Sequence, residues 1–263
     1  MFVTGANGFV GRHLVGSDVA SDWEVVAPPS KALDITQAER VMDTIREWKP
    51  AAVVHLAYRR DDRRTIVQGS LNVARAAAAA GAHLVHLSTD VVFGGRLSPY
   101  TEWDPPSPVT DYGTWKAEAE AAVAGAHPTA VLVRTSLVYG TDQLAPVQRD
   151  VEAALASRSS MSFFTDEIRC PVHATDLARA VSMLADRRDV SGPLHVAGPQ
   201  AVDRAELARI VGTWLGMGHR LDTLRTSSIA ESGLVRPACV VLDSGRAASL
   251  GITCRPVGDV LRA

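Results

Sequence analysis

Lysine is nearly missing from this chain. Of its 27 lysines and arginines only Lys31, Lys49 and Lys116 are lysine, so a lysine set beside other reactive groups stands out from surface filler. Cysteine is equally scarce. Cys170, Cys239 and Cys254 are odd in number and lack metal-ligand spacing, which argues against a disulfide framework and a metal site and for reduced thiols in a cytoplasm. Each reads as a small buried hydrophobe. An excess of one charge is lacking too: the net charge of −2 gives no general attraction to nucleic acid or an anionic membrane. The Ala-rich stretch from Ala74 to Ala80 is too short to span a bilayer. Internal repeats are absent. Met1-Phe2-Val3-Thr4 already reads as a strand entering a glycine loop, so no signal peptide is expected.

What is present suits a soluble globular protein. The 263 residues, 46% hydrophobic and 21% charged, can form one large domain with a small appendage. Short apolar runs alternate with amphipathic segments, which predicts an α/β fold with a doubly wound parallel sheet covered on both faces. Strands are expected at Met1–Thr4, Glu24–Ala27, Ala51–Leu56, His83–Leu87, Ala130–Val133 and Leu194–Val196. Helices are expected from near Gly8, from Thr36 to about Trp48, at Arg64–Ala80, Asp111–Ala124, Thr175–Arg187 and Asp203–Leu215. Thr36-Gln37-Ala38-Glu39 has capping-box spacing, and Pro50 stands where that helix should have ended. Gly94–Pro108 reads as a loop. We expect a nucleotide-binding domain at 1–155, rejoined by 174–197, and a small discontinuous carboxy-terminal domain at 156–173 and 198–263.

Gly5-Ala6-Asn7-Gly8-Phe9-Val10-Gly11 lies between the first strand and the first helix. A tight turn and a close approach to phosphate both need residues without side chains, and the helix amino terminus offers free N–H groups to a pyrophosphate. The spacing is G-x-x-G-x-x-G rather than G-x-G-x-x-G. An acid at the end of the second strand would select NAD; Val26-Ala27-Pro28-Pro29-Ser30-Lys31 carries none. Lys31 and Arg12 could face a 2′-phosphate instead. NADP(H) is the preferred expectation, NAD(H) the alternative, and two solvated surface charges the bland reading.

Tyr112 and Lys116 stand four apart on a predicted helix and so share one face. An ammonium there can stabilise a phenolate and lower the pKa of the tyrosine, making Tyr112 a candidate proton donor or acceptor. Thr89, in Ser88-Thr89-Asp90, offers a second hydroxyl to a substrate oxygen. The cluster Arg59–Arg64 reads as a solvated helix start. His55 and His173 read as structural. Trp103 and Trp115 stay open between loop packing and a substrate wall.

Taken with Leu33-Asp34-Ile35-Thr36, Pro99-Tyr100-Thr101-Glu102, Arg134–Gly140 and Arg236-Pro237, these stretches resemble the extended short-chain dehydrogenase/reductases. Within them the chain is most similar to dTDP-4-dehydrorhamnose reductases. The resemblance implies a Rossmann-like fold and an NAD(P)H-dependent reduction of a keto group on a nucleotide-activated deoxysugar. Tyr112 would be the general acid, Lys116 would lower its pKa and bind the nicotinamide ribose, and Thr89 would hydrogen-bond the carbonyl. Gly5, Asn7, Gly8, Phe9, Val10, Gly11, Arg12 and Lys31 would serve the cofactor. Asp34 and Ile35 would lie against its adenine, and Leu56, Ala57 and Tyr58 would line it. Asp90, Arg169 and Arg236 would bind the nucleotide sugar, the arginines at its diphosphate, and a homodimer would suit the family.

Three departures touch the substrate and proton path: Val91 for a usual tyrosine, Leu137 for a tryptophan, and Ile66 for an asparagine of the relay behind the lysine. The chain is also short for an extended member. Rival expectations are a nucleotide-sugar epimerase or dehydratase of the same fold, and a non-catalytic NADP-binding regulator like the methionine adenosyltransferase regulatory subunit. A dehydratase usually carries Thr-Asp-Glu, and Val91 replaces that glutamate.

Overall fold

A computed structural model describes residues 1–16 and 18–262. Five short apolar segments, Phe2–Thr4, Ala52–His55, His83–Leu87, Val131–Arg134 and Gly192–His195, pair in that order as a parallel sheet. Almost every residue in them is buried, as a sheet covered on both faces requires. Helices Phe9–Val15 and Ala174–Ala185 cover one face, where Leu14, Leu177 and Val181 join Val3, Val54 and Val85. Helices Ala38–Trp48, Ser70–Ala79 and Asp111–Ala126 cover the other, where Val41, Ile45, Val73 and Val123 meet Phe2, Val53 and Leu84. The architecture is the expected Rossmann-like α/β fold.

Local chemistry revises three details. Glu24–Ala27 is no full strand: Val26 bridges Phe2, with hydrogen bonds from Val3 N to Val26 O and from Val26 N to Met1 O. Pro28 and Pro29 follow at once and have no N–H to extend a ladder. The capping box at Thr36 does not form. Thr36 Oγ1 donates to Asp34 Oδ1 at 2.9 Å and the helix starts at Ala38. The helix expected from Arg64 opens as a wide π turn, Arg64–Gly69, before becoming α-helical at Ser70.

Phe2–Thr4 has Val26 on one side and Ala52–His55 on the other. The chain therefore reverses its direction of build at this strand, and the loops at the carboxyl ends of the strands part there into a crevice. Beyond the sheet, three two-stranded pieces pair Val138–Tyr139 with Val172–His173, Ser162–Phe164 with Arg225–Ser227, and Ile168–Arg169 with Val202–Asp203. They form the far wall of that crevice. Helix Pro146–Leu155, inside the expected first domain, buries Val147, Val151 and Leu155 with Val202, Leu207 and Val211 of the small unit. Among the described residues no helix is long and apolar enough to cross a membrane.

Candidate active site

The crevice opens into a cavity of about 900 Å³ that runs from the glycine loop to arginines of the small unit. At its first end Gly5 has φ 77°, and a Cβ there would stand 2.6 Å from the Ala57 nitrogen. The turn closes with a hydrogen bond from Gly8 N to Gly5 O at 2.9 Å. Gly5, Gly8, Phe9, Val10 and Gly11, with Leu56, Ala57 and Tyr58, line this end. A backbone cradle that side chains would fill, set at a helix amino terminus, fits a dinucleotide pyrophosphate.

Other expected cofactor residues lie outside the cavity lining. Arg12 donates to Asn7 O at 2.8 Å and to Gln143 Oε1 at 3.2 Å, so its guanidinium is turned along the loop. Asp34 is exposed and accepts from the Thr36 N–H at 2.9 Å, which holds its carboxyl below the usual range. Ile35 is buried against Gly69. Lys31 is exposed.

Tyr112, Lys116 and Thr89 all line this cavity. Thr110 caps their helix by accepting from Gly113 N at 3.1 Å. One turn on, Lys116 buries its stem and donates from Nζ to Leu87 O at 2.7 Å. Desolvation brings its pKa down to about 8, with Glu120 acting the other way. The expected lowering of Tyr112 by Lys116 is not what this arrangement produces. Burial drives the phenol well above its ordinary value, Tyr58 and Asp90 act the same way, and Arg60 alone of its charged neighbours opposes them. The Tyr58 ring lies 6.2 Å from that of Tyr112. Thr89 Oγ1 is 3.3 Å from Asp90 Oδ1, to which it donates, and accepts weakly from Val91 N.

The second end carries charge. Asp90 is buried, accepts from Ser136 Oγ at 2.6 Å, and has its pKa raised by desolvation. Arg169, expected to reach a diphosphate, is only 2% exposed. Its guanidinium donates to the carbonyls of Ile168, Ala238 and Pro237 at 2.6–2.8 Å and sits against Asp90 and Glu167. These bonds tie the wall together, and Arg169 also lines the cavity. Arg236 holds Glu167 through Nε at 2.6 Å over the Phe164 ring. Arg204, which no motif marked, lines the cavity with no side-chain hydrogen bond or ion pair among the described residues. Burial lowers its pKa, and Arg236 and Arg169 add to that against Glu167 and Asp150.

The model of the RmlD substrate binding domain matches residues 1–257. The chain belongs to that family. It is an extended short-chain dehydrogenase/reductase, as the order of its motifs implied. It is 33% identical to a dTDP-4-dehydrorhamnose reductase of Mycolicibacterium smegmatis, over 95% of this chain and 80% of that protein. It is 29% identical to methionine adenosyltransferase 2 subunit beta of Rattus norvegicus, over 96% and 82%. Its fold superposes on a dTDP-4-dehydrorhamnose reductase from Bacillus anthracis in complex with NADP with a TM-score of 0.88, at 26% identity, covering 99% of this chain and 96% of that one. This RmlD-family chain thus has relatives of both expected kinds, reductase and subunit.

In this family member, two residues escaped the sequence reading. Arg60 lines the cavity although its charged cluster read as a solvated helix start. Arg204 opens a helix with nothing around it to flag a ligand. Trp103, 89% exposed, neither packs nor lines the cavity. His55 and His173 are hydrogen-bonded inside the fold, as expected of structural histidines.

Proposed function

We propose that the chain is an NAD(P)H-dependent reductase of a keto group on a nucleotide-activated deoxysugar. One observation carries this reading: a single cavity joins a glycine cradle, the Tyr112–Lys116–Thr89 group and the arginines Arg204 and Arg236. Hydride would come from a nicotinamide dinucleotide held at Gly5, Gly8 and Gly11. Tyr112, kept protonated by burial, gives its proton to the carbonyl oxygen as negative charge develops there. Thr89 donates a hydrogen bond to the same oxygen. Lys116 keeps an ammonium beside the phenolate that results. Arg204 and the two terminal nitrogens of Arg236 hold the diphosphate, a task suited to planar forks of donors. Leu137 and Val91 leave the sugar a less polar wall than the family's aromatic residues would.

NADP(H) is the preferred cofactor in this reading, with Lys31 free to meet the 2′-phosphate. Similarity to methionine adenosyltransferase 2 subunit beta supports a second reading, a non-catalytic binding subunit. Loss of nicotinamide absorbance with a panel of 4-keto sugar nucleotides, using NADPH and then NADH, separates the two. We expect turnover that Tyr112→Phe abolishes while NADPH binding persists. Binding without turnover on every sugar would favour the subunit, and near-normal turnover in Tyr112→Phe would remove Tyr112 as the acid.

A further inference from the structure

Tyr112, Lys116 and Glu120 fall four apart on helix Asp111–Ala126, so they line one face. Lys116 and Glu120 both fasten on the end of strand His83–Leu87. Lys116 Nζ donates to the Leu87 carbonyl at 2.7 Å, and Ser88 Oγ donates to Glu120 Oε1 at 2.5 Å. From the neighbouring strand Arg134 forks onto the same carboxylate, with Nη2 at 2.8 Å from Oε2 and Nε at 3.1 Å from Oε1. The ion pair is 3% and 5% exposed on its two sides. Glu120 thus sits one helical turn behind Lys116, with its place decided by two partners on two strands. Thr89 is the next residue after Ser88, so the same grip holds the strand end that carries Thr89 against the helix of Tyr112.

The charges around Lys116 give Glu120 a second task. Strand His83–Leu87 contributes His86 and strand Ala52–His55 contributes His55, fully buried imidazoles 5.1 Å apart. Both are held neutral by desolvation, with the lysine charge adding to it. Arg134 lies beyond Glu120, while Tyr112 and Asp90 lie on the cavity side. Among these groups Glu120 is the carboxylate whose field favours the ammonium against desolvation. A buried lysine without such a neighbour gives up its proton readily.

We propose that Glu120 is a positioning residue for the reacting pair: clamped by Ser88 and Arg134, its carboxylate keeps Lys116 an ammonium and holds the helix in register with the strand end that carries Thr89. The proposal rests on the reading of Tyr112 and Lys116 as that pair, yet its test needs no substrate. The scarcity of lysine makes it direct. In full-length protein labelled with [ε-13C]lysine, the resonance that persists in Lys31→Arg/Lys49→Arg belongs to Lys116, and its midpoint is read by titration. Glu120→Gln should move that midpoint down by about one unit, and Glu120→Asp, which keeps the charge, should restore most of it. Should Glu120→Gln not accumulate as folded protein, Glu120→Gln/Arg134→Met removes both charges of the pair and carries a smaller downward expectation, because loss of the more distant cation partly offsets loss of the carboxylate. An unmoved midpoint in the folded variant, or equal displacement in Glu120→Asp and Glu120→Gln, would overturn the proposal. A displaced midpoint in a chain that reduces no sugar would leave it standing and remove only the reductase reading.

Discussion

The guanidinium carbon of Arg60 stands 5.2 Å from the centroid of the Tyr112 ring. A cation from the loop after Ala52–His55 therefore covers the proposed proton donor, which belongs to a different element. Its charge opposes the rise in pKa that burial imposes on the phenol. Arg60→Ala should make Tyr112 a weaker acid and reduce kcat/KM about fivefold, equivalent to roughly 1 kcal/mol. Steady-state kinetics would decide it, and an unchanged kcat/KM would leave Arg60 as mere cover.

Burial pushes the Lys116 ammonium down to about 8 from the ordinary 10.5. Reduction should therefore fall as pH rises through about 8, because the ammonium beside Tyr112 is lost while the phenol stays protonated. Stability should respond to this group in the opposite sense. Between about 8 and 10.5 the unfolded chain binds more of the proton, so this lysine's contribution to stability rises with pH over that window. Rate and urea midpoint measured on one buffer series would test the divergence, most cleanly against Lys116→Met.

His55 is depressed from 6.5 to about 3 by full burial, and His86 is also well below its ordinary value. Depressed histidines contribute stability that is whole above pH 6.5 and lost as pH falls towards the folded pKa. His55 alone should account for about 2 kcal/mol of loss by pH 5. Both ring nitrogens of His86 are buried without a hydrogen-bond partner among the described residues. His86→Leu should then be neutral or stabilising by about 1 kcal/mol at pH 7 and should flatten the acid limb. Urea midpoints at pH 7 and pH 5 give both quantities; a steeper acid loss in the variant would contradict the account.

Arg204 and Arg169 line one cavity but should fail differently. Arg204→Ala should raise KM for the nucleotide sugar roughly tenfold or more, as expected for a lost charge-assisted contact, with an unchanged melting temperature. Arg169→Ala should cost roughly 3 kcal/mol of stability, because it leaves buried Asp90 without its countercharge and Glu167 with Arg236 alone. Kinetics paired with thermal melts would separate the two roles, and an unaltered KM in Arg204→Ala would move the diphosphate site elsewhere.

Much of this protein is legible in one dimension. The strand His83–Leu87 has the bounds its sequence predicts, because alternation of apolar runs and turn residues is a short-range signal that needs no partner. The glycine loop and the Tyr112–Lys116 spacing are likewise local, since a turn needing positive φ and a helix face are set within a few residues. Where a neighbour decides, the reading stops. Glu24–Ala27 has the composition of a strand, but Pro28 and Pro29 end the pairing that composition suggests. Thr36 and Glu39 have capping-box spacing, yet Asp34 takes the threonine hydroxyl first.

By itself, then, the sequence determined the α/β order, the glycine cradle and the face shared by Tyr112 and Lys116. Only the tertiary structure decided which charges are spent and which are free. Arg169 is consumed by carbonyls 68 and 69 residues away, while Arg204 is left facing the cavity. Tyr112 is raised in pKa by burial rather than lowered by its lysine. Desolvation and ion pairing depend on what the fold brings within a few ångströms, and spacing along a chain carries no record of that distance.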